Sequence, residues 1–472
     1  MKSSWIAPFS LLLFFSQAWA QDAVLQQKLQ SAVSRFTADG QCKYASVSLT
    51  VLDAKTGEQV FAANPDMGLA PGSTMKAVTS VTALNVLGSD YLFHTDFGYR
   101  GTIANGTLTG DVIIKGYGDP TLGSWRWDNT KQTYILNQMV SALKKAGIKR
   151  IVGRVIGDDS YYASQSIPDG WIWQDLGTYY GAGTSALCWG ENQFSLKLRT
   201  GEVASLVAVT GSQPAMPYLT FKSELLTGAA GTGDQAYAYL PMIGSNIMYV
   251  RGTYAIDQTK KAIGTAIPDP PFDLAWHLTD TLKLLGITVT DKPESGPTLI
   301  AKGQPIPTAA TPLLTLTSPA MSSILYWQNH ISINLFAEQM LLAVANKTGK
   351  PVNTNNAVEA LKDFWKAKGI DPNSINVFDG SGLSPGNRIT TSTMAKILQS
   401  ATANSWYTDF YNSLPVYNDM HMKSGSINSC QAYTGYQTHN GRQLCFSIIV
   451  NNYNGPGRGI REKMFKVLDE LK

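Results

Sequence analysis

Apolar positions recur at helical spacing in several stretches near both ends of the chain. Residues 24–38 follow this pattern and stop at Ala38-Asp39-Gly40, and a second helix is predicted to begin at Pro71-Gly72-Ser73. Further helices are predicted over residues 134–146, 275–285, 320–330, 334–346, 355–367, 392–401 and 459–471. The last of these carries its apolar side chains on one side and has balanced charge, so we expect it to pack against a sheet.

Alternating and β-branched segments separate these helices. Strands are predicted over residues 44–53 and 58–63, and residues 99–103 and 107–115 flank an Asn105-Gly106 hairpin signal. The middle of the chain mixes Gly-rich loops with short strands at 150–157, 203–210 and 246–254. Extended stretches at 419–436 and 442–452 enclose the turn His439-Asn440-Gly441.

The predicted secondary structure changes twice along the chain. It changes from helical to mainly strands and turns near residue 90, and a Pro-rich crossing with Pro305, Pro307, Pro312 and Pro319 precedes the return of helices. This pattern predicts a discontinuous α/β domain formed by residues 21–92 and 305–472. Residues 93–304 are then an inserted region, which we expect to form two small domains.

The N-terminal segment and the net charge indicate an exported protein and argue against a membrane-spanning or nucleic-acid-binding one. Residues 1–20 run from Lys2 through an apolar core to Ala18-Trp19-Ala20, which is typical of a cleavable signal peptide, and no later segment is apolar for long enough to span a membrane. The chain is therefore expected to be exported to the periplasm or cell envelope. A formal charge of +4 over 472 residues is too small and dispersed to favour nucleic acid.

Four cysteines, Cys42, Cys188, Cys430 and Cys445, lack metal-ligand spacing, so no metal site is predicted. Export permits disulfides, but pairing cannot be read from the sequence. Cys430 and Cys445 flank the predicted turn at Asn440-Gly441 and are expected to be neighbours.

A serine and a lysine stand three positions apart at the start of the second predicted helix. Positions i and i+3 share a helix face, so the Lys76 amine can reach the Ser73 hydroxyl and take its proton. The helix N-terminus also presents N–H groups that favour the negative charge of acyl transfer. Ser141 and Lys144 repeat the spacing on what is predicted to be a solvated helix face, so Ser-x-x-Lys alone does not establish a site.

Acyl transfer of this kind also needs a proton path to the leaving group and a cation for a substrate carboxylate. Ser-Ile-Asn occurs at 332–334, 374–376 and 426–428, and Lys-[Ser/Thr]-Gly occurs at 55–57, 347–349 and 423–425. Residues 55–57 fall in a hairpin turn and 347–349 at a helix end, which are ordinary structural uses. The set Ser73-x-x-Lys76, Ser332-x-Asn334 and Lys423-Ser424-Gly425 has the order found in penicillin-recognising serine enzymes.

In this ordered set the chain resembles the low-molecular-mass class C penicillin-binding proteins, the D-Ala-D-Ala carboxypeptidase and endopeptidase family of penicillin-binding protein 4. The long interval between Ser73 and Ser332 is similar to that family's large insertion between its first two motifs. Other similar stretches are 118–122, 157–160, 180–182, 185–187, Glu191-Asn192 and 379–384. The resemblance implies an α/β (α+β) transpeptidase/β-lactamase-like domain, an antiparallel sheet flanked by helices, with large inserted mainly-β and α/β domains.

The resemblance also implies roles for the residues of the set. Ser73 is the nucleophile, Lys76 is its base, and Ser332 relays a proton to the departing D-Ala nitrogen, assisted by Lys423. The implied substrate contacts are Asn334 to the peptide, Ser424 to the terminal carboxylate, and the N–H groups of Ser73 and Ser426 to the oxyanion, with Gly425 belonging to the same substrate-binding segment. Asp175 is similar to an acid that meets a free amine of the stem peptide, although a purely structural loop acid is the alternative.

The expected protein is a serine D,D-peptidase that acts on peptidoglycan peptides as a carboxypeptidase, an endopeptidase or both, without a cofactor, and is acylated by β-lactams. A serine β-lactamase would need a further base to activate water, and none can be assigned. A non-enzymatic β-lactam sensor would need membrane segments. A Ser-His-Asp hydrolase is disfavoured because the five histidines are scattered and no G-x-S-x-G motif occurs. The sequence leaves the oligomeric state open.

Overall fold

The computed structural model describes residues 9–163, 165–242 and 245–472, with side chains described from residue 23 onward. The predicted signal segment, residues 1–20, therefore lies outside the described residues at its first eight positions and outside the described side chains throughout. Across the described residues, no helix is both long and apolar enough to cross a bilayer.

The α-helices of the described residues are α1 (Phe9–Thr37), α2 (Met75–Leu87), α3 (Gln132–Lys145), α4 (Pro270–Leu284), α5 (Gly296–Ala301), α6 (Met321–His330), α7 (Asn334–Lys347), α8 (Thr354–Ala367), α9 (Thr391–Ala401), α10 (Tyr407–Ser413) and α11 (Gly457–Leu468). The strands are β1 (Ser46–Asp53), β2 (Gln59–Ala63), β3 (His94–Ala104), β4 (Thr107–Gly116), β5 (Arg150–Val152), β6 (Val155–Asp158), β7 (Gln193–Arg199), β8 (Ala208–Gln213), β9 (Thr220–Gly228), β10 (Asp234–Tyr239), β11 (Ile247–Ala255), β12 (Ala262–Ala266), β13 (Thr288–Val289), β14 (Glu294–Ser295), β15 (Thr311–Thr317), β16 (Ile375–Asn376), β17 (Arg388–Ile389), β18 (Val416–Tyr417), β19 (Met420–Ile427), β20 (Cys430–His439) and β21 (Arg442–Asn451).

Contacts divide the chain into two compact units. The first unit comprises Met1–Val81, Trp365–Val377 and Pro385–Lys472, and the second comprises Thr82–Phe364 and Phe378–Ser384. These divisions fall inside α2 and α8, whereas the predicted domain limits near residues 92 and 305 fall between elements. Those limits stay a prediction.

The first unit is built on a six-stranded antiparallel sheet in the order β18-β19-β20-β21-β1-β2. Side chains along β1 alternate between the two faces of the sheet. Leu49 and Val51 face a core shared with α1 and α11, while Ser48 and Thr50 face α9. On that second face the Thr391 hydroxyl lies 2.6 Å from the Ser48 hydroxyl and 2.8 Å from the Thr50 hydroxyl. The expected antiparallel sheet flanked by helices is confirmed, and α11 packs into its core as predicted.

The second unit contains a seven-stranded mixed sheet with the path β13-β5-β4-β3-β15, to which β6 and β14 are attached. Helices α3 and α4 share one hydrophobic core with this sheet. Two three-stranded sheets, β12-β7-β8 and β10-β11-β9, enclose a separate core. The Asn105-Gly106 hairpin joins β3 to β4 as predicted, with φ of 48° and 77° at its two turn residues.

Several predicted strands differ from the observed ones. The stretch 419–436 is a hairpin of β19 and β20, which turns at Asn428-Ser429 with a φ of 53° at Ser429. The stretch 150–157 divides into β5 and β6, and the strand predicted at 203–210 begins at Ala208. The Pro-rich crossing contains β15, which includes Pro312 because it forms an edge of its sheet, where a residue without an N–H is tolerated.

The expectation that Cys430 and Cys445 are neighbours is wrong. The β20–β21 register places Cys430 opposite Asn451 and Cys445 opposite Tyr436, because the two cysteines lie at unequal distances from the Asn440-Gly441 turn. All four cysteines are buried and have free thiols.

Candidate active site

The serine of the first motif lies in a short turn that precedes α2. Residues Gly72–Thr74 form a 3₁₀ turn, and Gly72 has a φ of 51°, a conformation that a residue with a side chain rarely adopts. The Asn451 side chain accepts a hydrogen bond from Ala70 N at 2.7 Å and donates one to Ala70 O at 3.1 Å. The turn is therefore fixed to the end of β21, and Ser73 is half-buried within it.

Lys76 lies one turn further along, at the start of α2. Its Nζ donates a hydrogen bond to Ser73 Oγ at 3.0 Å, and its side chain is fully buried. A neutral lysine amine in this position can accept the serine proton as Ser73 attacks a carbonyl carbon. The predicted reach of Lys76 to Ser73 is present in the structure.

The Lys-Ser-Gly segment lies within β19 and packs directly against the Ser73 turn. A Cβ atom built on Gly425 would lie 2.8 Å from Ser73 N and 2.3 Å from Pro71 O. A Cβ atom on Gly72 would likewise lie 2.8 Å from Ser426 N. The two glycines thus let the backbone amides of Ser73 and Ser426 come close together, as two donors to one oxyanion require.

Lys423 is buried beside this turn and donates a hydrogen bond to Ser424 O at 2.9 Å. Burial, together with the nearby charge of Lys76, holds the pKa of Lys423 well below its ordinary value. Two close amines cannot both carry a proton cheaply, so this pair is suited to exchanging protons with a substrate. Ser424 is half-buried and Ser426 is exposed.

The second motif lies in the second unit, in the loop between α6 and α7. Ser332 has a φ of 62°, and its hydroxyl is buried without a hydrogen-bond partner in the part of the chain that the structure describes. Strained conformations and unsatisfied hydroxyls of this kind are concentrated at functional sites.

Asn334 and Asp175 are connected through a single tyrosine of the same unit. Asn334 Nδ2 donates to Tyr180 O at 2.7 Å, and the Tyr180 hydroxyl donates to Asp175 Oδ1 at 3.2 Å. Burial raises the pKa of Asp175, against the opposing effect of the Tyr180 hydrogen bond. The sequence did not assign Tyr180 a role, although its stretch was among those that resembled the family.

Sequence reasoning also left the carboxyl group of Asp379 without a role. Asp379 accepts hydrogen bonds from Gly382 N at 2.8 Å, Ser384 N at 2.6 Å and Trp171 Nε1 at 2.9 Å. Because Trp171 begins the segment that leads to Asp175, Asp379 holds that segment in place. Nearby, Glu338 accepts from the N–H groups of Gly380 and Ser381, and burial together with the charge of Asp379 raises the pKa of Glu338.

The competing motifs occupy ordinary structural positions. Ser141 and Lys144 are exposed on α3. The N–H groups of Lys55 and Thr56 bind Asp53 Oδ1 in the turn between β1 and β2, and Lys347 ends α7. In the described residues, no group of three or more His, Cys, Asp or Glu side chains is placed to hold a metal ion.

A half-buried serine bonded to a buried lysine at the start of a helix, packed against a Lys-Ser-Gly strand of an antiparallel sheet, defines a serine acyl-transfer enzyme of the penicillin-recognising fold. Residues 29–419 match the D-Ala-D-Ala carboxypeptidase 3 (S13) family, and the chain belongs to that family. It is therefore a serine-type peptidase of the D-Ala-D-Ala carboxypeptidase class.

Two curated relatives are similar over most of the chain. A D-alanyl-D-alanine carboxypeptidase of Actinomadura sp. (strain R39) is 26% identical over 460 residues, which cover 91% of this chain and 82% of the relative. The D-alanyl-D-alanine carboxypeptidase DacB of Haemophilus influenzae is 24% identical over 410 residues, covering 81% and 80%.

The fold is similar to that of a solved structure. The crystal structure of penicillin binding protein 4 (dacB) from Haemophilus influenzae matches with a TM-score of 0.76 and 21% identity, covering 95% of this chain and 98% of the other. The expected fold class is confirmed by this match.

Proposed function

We propose that Ser73 is the residue on which this peptidase forms its acyl-enzyme, with Lys76 as its base. The observation that carries the proposal is the 3.0 Å hydrogen bond from Lys76 Nζ to Ser73 Oγ at a turn packed against Gly425. In the reaction, a bond forms between Ser73 Oγ and the carbonyl carbon of the penultimate D-Ala as the C–N bond to the terminal D-Ala breaks. Water then cleaves the ester and regenerates the serine.

Roles for the remaining residues follow from the motif order and from the local structure of each. Lys423, whose lowered pKa makes a neutral amine accessible, assists transfer of the serine proton to the leaving D-Ala nitrogen. The unsatisfied hydroxyl of Ser332 suits a proton relay, and Asn334 orients the substrate peptide. Ser424 binds the terminal carboxylate, and the amides of Ser73 and Ser426 bind the oxyanion.

The substrate is proposed to be the stem peptide of peptidoglycan, either as a free D-Ala-D-Ala end or as a D,D-cross-link. A cross-linked D-centre retains an α-carboxylate, so Ser424 can anchor both. The names of the Actinomadura and Haemophilus relatives support the carboxypeptidase activity. Because this polymer lies outside the cytoplasmic membrane, we propose export to the periplasm or envelope.

The test uses penicillin as a mimic of acyl-D-Ala-D-Ala. Intact-mass spectrometry should show one drug molecule bound to the wild-type protein and none bound to Ser73→Ala. Ser141→Ala is the matched control, because Ser141 has the same spacing to a lysine but lies exposed on α3, and it should be labelled fully. Labelling of Ser73→Ala would refute the assignment.

The lifetime of the drug ester separates this function from that of a β-lactamase. A peptidase should retain the adduct while it hydrolyses D-Ala-D-Ala peptides, whereas a lactamase would release hydrolysed penicillin rapidly. A protein that retains the adduct but neither releases D-Ala from any stem peptide nor cleaves a D,D-cross-link would instead act as a sensor, which would contradict the proposal.

A further inference from the structure

A cavity in the second unit is not explained by the peptidase reaction. Its volume is about 420 Å³, and it is bounded by the start of α3, the turn before β7 and the end of β8. Its lining includes the side chains of Trp125, Lys131, Gln132, Gln193, Ser195 and Gln213. This volume falls within the range of about 300–1,000 Å³ that is usual for small-molecule sites.

Trp125 forms an exposed aromatic wall of this cavity, with 52% of its surface accessible. The Arg126 guanidinium lies 5.2 Å from the Trp125 ring centroid and 4.9 Å from that of Trp327. Arg126 in turn makes two hydrogen bonds to the buried carboxylate of Glu191, at 2.6 and 3.0 Å. The tryptophan is thus supported by a buried ion pair, which limits the entropy that it loses when a ligand stacks on it.

Glu191 also orients a second wall of the cavity. Its carboxylate accepts hydrogen bonds from Ser124 Oγ at 2.7 Å and from Gln193 Nε2 at 3.4 Å. Glu191 and Asn192 have φ of 55° and 51°, a conformation that is strained for a residue with a side chain and persists where the surroundings impose it. The Glu191-Asn192 stretch, which resembled the family without a catalytic role, therefore shapes this cavity.

The lining chemistry favours a neutral, polyhydroxylated ligand. Among the described lining residues the one charged side chain is Lys131, and its amine is already 2.6 Å from Asp128. A stem peptide carries carboxylates and an ammonium group that this lining would leave without counter-charges. A pyranose ring instead presents an apolar C–H face to an indole and hydroxyl groups to amides, which match Trp125, Gln132, Gln193 and Gln213.

We propose that this cavity binds an N-acetylated disaccharide of the glycan strand. The choice of this sugar rests on the proposed function, since the glycan carries the stem peptides that the enzyme cleaves. Trp125 stacks on one pyranose ring, and the amides of Gln132 and Gln193 with the Ser195 hydroxyl bind its polar substituents. Glu191 is a positioning residue that acts through Arg126 and Gln193.

The test measures binding of the peptide-free disaccharide GlcNAc-MurNAc, with its lactyl carboxyl group capped as a simple amide so that the probe is neutral, to the full chain by ligand-observed NMR and calorimetry. Trp125→Ala should weaken binding about tenfold or more, from the loss of stacking. Trp125→Phe, which keeps an aromatic ring, should retain most of the affinity. Tyr134→Ala is the matched control, because Tyr134 is an exposed aromatic of α3 that does not line the cavity.

Thermal unfolding of each variant establishes that it is folded before binding is compared. Failure of the wild-type protein to bind the disaccharide, wild-type affinity in Trp125→Ala, or displacement of the sugar by a glycan-free stem peptide would each overturn the proposal. The disaccharide contains no D-Ala-D-Ala and can be tested on Ser73→Ala. If the disaccharide fails to bind, the penicillin labelling of Ser73 still tests the proposed function independently.

Discussion

Gly425→Ala isolates the packing of β19 against the Ser73 turn. An added Cβ atom would lie 2.3 Å from Pro71 O, 2.7 Å from Thr74 N and 2.8 Å from Ser73 N, and all three are backbone atoms that cannot rotate away. Ordinary contacts of a Cβ atom begin near 3.4 Å, so strand and turn must separate by about 1 Å. Gly425 has no positive φ, so the effect is steric and does not arise from backbone strain.

The expected losses of stability and of acylation rate follow from that displacement. Overpacking of this kind costs about 1–3 kcal/mol of stability. Because the displaced atoms include the Ser73 amide, which is a proposed oxyanion donor, a shift of about 1 Å should also slow acylation about 10²-fold. Stopped-flow or timed mass spectrometry with penicillin measures the second-order acylation rate, and calorimetry measures Tm.

Two glycines serve as controls for this variant. A Cβ atom on Gly40 would meet no atom within 4 Å among the described residues, so Gly40→Ala should preserve both stability and rate. A Cβ atom on Gly98 would lie 2.4 Å from Thr311 O, between β3 and β15 of the second unit. Gly98→Ala should therefore lower Tm and preserve the acylation rate. Wild-type acylation by Gly425→Ala, or an equal loss of rate in Gly98→Ala, would refute the reasoning.

Three further predictions concern charged side chains. Lys423→Met should abolish turnover and raise Tm. The rise in Tm should be larger near about pH 6 than near about pH 9, because a lysine with a lowered folded-state pKa costs most stability at low pH. A lower Tm at both pH values would contradict this. Asp175→Asn should reduce kcat/KM for amine-bearing stem peptides, by an amount that corresponds to about 1–3 kcal/mol of lost transition-state binding, and should leave penicillin acylation unchanged. Equal losses toward the peptide and toward penicillin would show that Asp175 only supports its loop. Asp379→Ala removes the acceptor of Trp171 Nε1 and of two backbone N–H groups, so calorimetry should show a stability loss of at least about 2 kcal/mol. An unchanged Tm would show that Asp379 does not hold the segment that begins at Trp171.

The helices were the most predictable part of the fold. Long amphipathic patterns with clear ends, such as those of α7 and α9, placed helix limits within about two residues of those observed. The hairpin at Asn428-Ser429 was missed because neither turn residue is Gly or Pro, and the turn depends on a positive φ at Ser429. The edge strand β15 was missed because Pro312 reads as a strand breaker when the position of the strand in its sheet is unknown.

The candidate site was predictable only as far as motifs are local. Ser73 and Lys76 are three residues apart on one helical turn, so their hydrogen bond followed from helix geometry. The packing of Gly425 on that turn depends on contacts between distant segments, which spacing alone cannot reveal. The same limit applies to Asp379, whose three donors lie in two separate stretches of sequence.

The buried free thiols give this protein internal reporters of conformational opening. Burial raises the pKa of Cys188 and of Cys430 to about 12, and a thiolate is the form that alkylating reagents attack. Each thiol should therefore react only when its surroundings open. Cys188 lies in the second unit, where Gln339 Nε2 donates to its Sγ at 2.8 Å, whereas Cys42 lies in the core of the first unit. Their separate alkylation rates under native conditions would measure how often each unit opens, without any introduced label.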